Sequence, residues 1–242
     1  MEIKIPYTPR KHQRLLHQQI DKHRWSVLVC HRRFGKTVCM INHLIKSALT
    51  CKEKNPRFAY LAPTFKQAKS IAWDYMKQFT DKIPNTKFNE TELRVDLPNG
   101  ARITLLGSDS PDGLRGIYLD GCVIDEYANV NSRLFPEIIR PALSDRKGYC
   151  VFIGTPAGMN NNFYELYQHA NGAEDWFNYK AKASDTKIVD EDELVKAKEV
   201  MGEKKYNQEF ECDWIANIEG AVYGDVVGKM DDNKQLCRVP YD

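Results

Sequence analysis

A chain of 242 residues with 35 Lys/Arg against 33 Asp/Glu, 42% hydrophobic and 28% charged, can bury one substantial α/β core with a small appendage but is crowded for two full domains. It has no apolar run of the roughly 18 residues that a membrane span needs, and its polar start Met1-Glu2-Ile3-Lys4 offers no cleavable signal, so the sequence reads as cytoplasmic. Its 7 cysteines are scattered and never form C-x-x-C, which speaks against a disulfide framework or a zinc site and for small, reduced core residues.

Charge is unevenly spread. Residues 1–60 carry 13 Lys/Arg against 3 Asp/Glu, and residues 174–242 carry 10 against 17. A polyanion would therefore meet mainly the N-terminal part, and composition permits nucleic-acid binding without requiring it.

In chain order, Thr8 as N-cap and Pro9 at the first helical position open a helix running to about His23. Its basic first turn opposes the helix dipole, so another role recruits those cations. The apolar run Val27–Val29 is a buried strand, and Val38–Leu49 is a helix. Arg57–Ala62 is a strand stopped by Pro63, followed by an amphipathic helix from Phe65 to Phe79. Leu93–Leu97 and Ala101–Leu106 alternate around Pro98-Asn99-Gly100 as a β-hairpin. Gly121–Ile124 and Tyr149–Ile153 are continuous apolar strands. Residues 190–214 are charged and helical, and Asn217–Asp242 has three glycines and no clear period. The order predicts an α/β core over 1–180 with a mainly parallel sheet and an antiparallel hairpin, a helical lid subdomain over 181–216 and a linker over 217–242.

Between the first strand and its helix stands Cys30-His31-Arg32-Arg33-Phe34-Gly35-Lys36-Thr37, with Val38 next. A strand entering a tight loop and then a helix leaves backbone N–H groups unpaired and aimed at the concavity, which suits a triphosphate. Gly35 lets the backbone approach the phosphates, Lys36 reaches the β and γ oxygens, and the Thr37 hydroxyl ligates Mg²⁺. The pattern departs from the Walker A consensus at Cys30, where glycine is usual. A second element supports it: Gly121–Ile124 ends in Asp125-Glu126, delivering two carboxylates to the sheet edge. Asp125 would hold Mg²⁺ and Glu126 would act as general base on the attacking water.

With Tyr7, Arg10 and Gln13, the Arg32-Arg33-x-Gly35-Lys36-Thr37 loop, Asp125-Glu126 and Gly154-Thr155-Pro156 in that order, the chain resembles the ATPase domain of large terminase subunits, the DNA-packaging motors of tailed bacteriophages. The resemblance implies a P-loop NTPase of the ASCE, RecA-like type that uses ATP and Mg²⁺ to translocate double-stranded DNA. It also implies a portal protein and a small terminase subunit as partners, a homo-oligomeric ring that would be a pentamer, and the host bacterial cytoplasm as location. Gln13, with Arg10 and Tyr7, matches the adenine-reading motif, since an amide both donates to and accepts from the base edge. Thr155 matches the coupling motif. The family's loop tolerates a non-glycine first residue and carries arginine before Gly-Lys, which accommodates Cys30, Arg32 and Arg33. Arg115, in Leu114-Arg115-Gly116, matches the position from which some relatives insert an arginine into a neighbouring subunit's site, with Arg133, Arg140 and Arg146 as alternatives.

The chain stops about where the family's nuclease domain should begin, so the resemblance implies a fragment without cleavage activity. Two other readings compete. A superfamily 2 helicase half shares these motifs but needs a second RecA-like domain that the residues after Ile153 cannot supply. A nucleotide-dependent ring scaffold with negligible turnover differs from the motor only in rate.

Overall fold

The computed structural model describes residues 5–215; the linker expected over 217–242 and Cys237 lie outside them. An eight-stranded sheet has the order β3-β4-β5-β2-β6-β7-β1-β8. Six strands are parallel: β1 (Trp25–Cys30), β2 (Arg57–Ala62), β5 (Arg102–Gly107), β6 (Gly121–Ile124), β7 (Tyr149–Gly154) and β8 (Trp176–Ala181). β3 (Lys87–Asn89) and β4 (Arg94–Asp96) add an antiparallel edge. This is the mainly parallel α/β sheet with an antiparallel hairpin at one edge that the sequence predicts.

The sheet is covered on both faces, so its central strands are apolar on both sides and read as continuous runs. Leu28 and Cys30 of β1, Tyr60 of β2, and Val151 and Ile153 of β7 face one cluster, which includes Leu16 and Ile20 from α1 (Lys11–Ile20) and Met40, Ile41 and Leu44 from α2 (Lys36–Thr50). Val27, Val29, Leu61, Ile124 and Phe152 face the other, with Leu134, Ile139, Phe163 and Trp214. Among the described residues no helix is long and apolar enough to cross a membrane. Six described cysteines are free, and all but Cys51 are buried.

After β2, Thr64 caps a helical run with a Gln67 capping box: α3 (Phe65–Ala68), a π-helical turn Lys69–Trp73, then α4 (Asp74–Thr80). The single turn α5 (Arg140–Ala142) precedes β7, and α6 (Asn162–Ala170) follows it. β8 leads into the turn α7 (Ala183–Thr186), then α8 (Glu191–Met201) and α9 (Glu203–Phe210).

The first helix is shorter at both ends than the sequence suggests, stopping at Ile20 rather than about His23. The first helix starts at Lys11 with Arg10 at the N-cap, and Thr8 and Pro9 lie before it. The cause is Gln13, whose Oε1 accepts the Arg10 N–H at 2.9 Å, closing the first turn later than the Thr-Pro pair suggests.

Candidate active site

The loop after β1 is held from both neighbours. The His31 N–H donates to the Ala181 carbonyl at the end of β8 at 3.0 Å, and the Arg32 N–H donates to the Glu209 carbonyl of α9 at 2.8 Å. The buried His31 ring donates from Nδ1 to the Arg32 carbonyl at 2.6 Å, leaving Nε2 to accept from Thr186 at 2.8 Å. Burial lowers this imidazole's pKa, so the ring is neutral and bridges loop and α7.

Two residues of the loop lie in left-handed backbone, Arg33 at φ 72° and Gly35 at φ 87°. Gly35 is the N-cap of α2, and a Cβ there would stand 3.0 Å from Gln13 Nε2. This side of the loop is gripped by the N-terminal segment: Gln13 Nε2 donates to the Gly35 carbonyl and Arg10 Nη1 to the Phe34 carbonyl, each at 3.3 Å. Lys36 Nζ folds back onto the loop, donating to the Cys30 carbonyl at 3.0 Å and the His31 carbonyl at 3.4 Å. Cys30 and Phe34 are fully buried and serve as walls of the loop; Val38 packs against the core.

The strand order places β7 between β6 and β1, so the ends of three adjacent strands converge: the loop after β1, Thr155 after β7, and Asp125-Glu126 after β6. Asp125 is buried; its Oδ1 accepts the Glu126 N–H at 2.9 Å and its Oδ2 accepts the Tyr60 hydroxyl. Burial raises its pKa, against the lowering effects of the Tyr60 hydrogen bond and the Lys36 charge. Glu126 turns the chain out of the strand in left-handed backbone at φ 47°. Its carboxyl pKa is raised first by burial and then by the Asp125 charge, with the Lys36 charge and the Thr155 backbone acting in the opposite direction.

These groups open on one cleft of about 530 Å³ lined by Arg32, Lys36, Glu126, Asn129, Thr155 and Pro156. The far wall is α9, with Lys205, Gln208 and Glu209. Gln208 Nε2 donates to the Pro156 carbonyl at 2.6 Å, Glu209 stands 3.9 Å from Arg32, and Lys205 pairs with Glu209 at 3.1 Å. Sequence reasoning singles out none of Tyr60, Asn129, Lys205, Gln208 and Glu209. A tyrosine inside an apolar run, whose hydroxyl must find a partner, is the only local signal among them.

Other predicted residues lie apart. Arg33 is exposed and does not line the cleft. Tyr7 bonds His17 at 3.0 Å and lines a separate hollow with Pro9, Arg14 and Asn42. Arg115 stands 3.6 Å from Glu137, whose carboxylate also takes a two-pronged contact from Arg133 at 2.8 Å. Arg140 lies over Trp25, and Arg146 pairs with Asp120 at 3.3 Å, both at the N-terminal edge of the parallel strands, opposite the cleft.

Comparison with known proteins gives a consistent picture. Residues 29–224 match the model of the family described as terminase large subunit, T4-like-virus type, N-terminal. The terminase large subunit of Thermus phage G20c is 30% identical over 126 residues, covering 44% of this chain and 26% of its own length. The match thus spans about a quarter of such curated relatives. The fold is similar to the large terminase ATPase domain of Thermus phage P74-26, with TM-score 0.73 and 20% identity over 87% of this chain and 95% of that one. It is also similar to the large terminase of a thermophilic bacteriophage in complex with ADP, with TM-score 0.72 and 15% identity over 84% of this chain and 53% of that one.

Proposed function

The chain belongs to the family of terminase large subunits, N-terminal part, T4-like-virus type, and from that premise we propose that its cleft binds and hydrolyses ATP to drive double-stranded DNA into a procapsid. The observation that carries the reading is the convergence of Lys36, Glu126 and Thr155, from three separate strand ends, on one cleft. A relative of the same fold binds ADP.

In this reading the unpaired N–H groups at the start of α2 and the Lys36 ammonium take the phosphates, Lys36 exchanging the Cys30 and His31 carbonyls for β and γ oxygens. Gln13 and Arg10 act on the base through the N-terminal segment that also grips the loop. Thr37 and Asp125 would hold Mg²⁺. A buried carboxylate with both oxygens oriented by donors, beside a hydroxyl, is a donor set that suits a hard dication. When bound, the cation supplies charge neutralisation at the β and γ phosphates. Glu126, made more basic by burial and by Asp125, takes the proton of the attacking water.

The division into a core over 1–180, a lid over 181–216 and a connecting segment over 217–242 belongs to the same proposal, with α9 closing the cleft. A pentameric ring in the host cytoplasm, assembled with portal protein and small terminase subunit, would bring Arg115 to a neighbour's γ-phosphate. There a guanidinium is worth about 10³–10⁵ in rate.

Phosphate release with Mg²⁺-ATP, measured across protein concentrations, tests the reading. Specific activity is expected to rise with concentration as neighbouring chains complete the site. A rate equal to buffer at every concentration overturns hydrolysis and leaves the nucleotide-binding ring scaffold.

A further inference from the structure

Tyr60 sits in the middle of β2, the strand directly beside β6, in register with Val123. It is fully buried, yet its aromatic ring alone would fill this place as phenylalanine. A buried phenol needs partners for its oxygen and its proton. Here the Tyr60 hydroxyl donates to Asp125 Oδ2, the candidate cation ligand at the end of β6.

The direction of this hydrogen bond matters. The phenol gives its proton to Oδ2, and a carboxylate oxygen that takes one donor keeps a further lone pair for a dication. Asp125 Oδ1 is held by the Glu126 N–H at 2.9 Å, so the carboxylate has both oxygens oriented before any cation arrives. Without the phenol, Asp125 would lose one of its two donors, while the packing stayed nearly unchanged.

We propose that Tyr60 is the positioning residue of the cation site, its hydroxyl fixing Asp125 Oδ2 while the Glu126 N–H fixes Oδ1, so that the carboxylate is set in orientation for the cation. The inference rests on the nucleotide reading above and goes beyond it by assigning to β2 a role that neither the loop motif nor the Asp-Glu strand end contains. Groups that orient metal ligands typically change metal affinity by about 10–100-fold when removed.

The test uses Tyr60→Phe and a fluorescent N-methylanthraniloyl-ADP probe, titrated first in EDTA and then against Mg²⁺. Binding in EDTA is expected to stay within about twofold of wild type. The Mg²⁺ concentration that half-saturates the metal-dependent gain should rise about tenfold or more. A half-saturation within about twofold of wild type overturns the Tyr60 inference alone, and so does an equal loss with and without metal, which would mark Tyr60 as packing only. Failure of the wild-type protein to bind the probe in either arm overturns the nucleotide reading itself. A second measurement leaves the fold untouched: 3-fluorotyrosine placed at position 60 should show a ¹⁹F resonance that moves when Mg²⁺ is added to the ADP-loaded protein and stays still in Asp125→Asn. No movement in the otherwise wild-type chain overturns the positioning role.

Discussion

Lowering the pH from 7.5 to 5 should destabilise the fold through a histidine pair that joins α1 to α2. The rings of His17 and His43 stack with centroids 5.2 Å apart and share an Nδ1···Nδ1 hydrogen bond of 3.0 Å, which requires one nitrogen to be an acceptor. Tyr7 bonds the far nitrogen of His17 at 3.0 Å, and Tyr149 packs edge-on against His43. Burial is the main cause that pushes His17 down to about 4, with the Lys46 charge next; burial and then the His17 charge push His43 down to about 3. Both rings are neutral in the folded protein, whereas the unfolded chain takes up protons from about pH 6.5. The unfolded state thus binds more protons below that value, and stability present above it is lost as pH falls. For one histidine moving from about 6.5 to about 4, the loss between pH 7.5 and 5 is about 2 kcal/mol, and the pair together loses up to about 4 kcal/mol. That is a large share of a typical domain's stability of about 5–15 kcal/mol. The buried carboxyls of Asp125 and Glu126, whose folded pKa values are raised, act with the opposite sign, gaining stability as pH falls. A difference measurement cancels them: urea unfolding of wild type and His17→Phe at pH 7.5, 6 and 5. The variant keeps a stacked ring but lacks one titrating group, so its stability should fall by about 2 kcal/mol less over this range. Parallel pH profiles for the two proteins would refute the reasoning.

Glu126→Gln should bind nucleotide with nearly unchanged affinity while hydrolysis falls by about 10²–10⁴, because the amide fills the same space but cannot accept the water's proton; single-turnover assays would expose normal hydrolysis if Glu126 is only a strand end. Mixing inactive Glu126→Gln chains with inactive Arg115→Ala chains should restore turnover at mixed interfaces if Arg115 acts in trans. Absence of rescue, with Arg115→Ala fully active at high concentration, moves that role to Arg133, Arg140 or Arg146. Arg33→Gly should stabilise by about 1 kcal/mol, since Arg33 is exposed and holds a left-handed φ of 72° that costs an L-residue about 1–2 kcal/mol; a drop in melting temperature would show that the Arg33 side chain holds the loop.

The loop and the strand ends are legible in the sequence because their signals are local. Val27–Val29 running into Gly35-Lys36-Thr37, and Gly121–Ile124 running into Asp125-Glu126, each juxtapose a buried strand with polar chemistry within a few residues. β8 escapes such a reading because Trp176–Lys180 is only half-buried beside β1 and mixes aromatic with polar residues, without clean alternation or a continuous apolar run. The short edge strand β3 carries the same weak signal. The α9 wall of the cleft is legible only as a charged helix. Lys205, Gln208 and Glu209 gain their meaning from the chain's return across the end of β1, where Arg32 donates to the Glu209 carbonyl, a contact spanning 177 positions of sequence that no local pattern encodes. Tyr60 looks like core because its ring is core; its hydroxyl points to the carboxylate at the end of the neighbouring strand.

The central claim is that the loop after β1 holds the triphosphate, and Lys36→Ala tests it most directly. Probe binding and phosphate release would be measured side by side for wild type and variant, with thermal melting to show that both are folded. The account predicts a folded variant whose nucleotide binding or turnover falls below detection, since the ammonium that now rests on the Cys30 and His31 carbonyls is the group that would engage the β and γ oxygens. Binding and hydrolysis at wild-type levels in Lys36→Ala would contradict it and place the nucleotide elsewhere on the molecule.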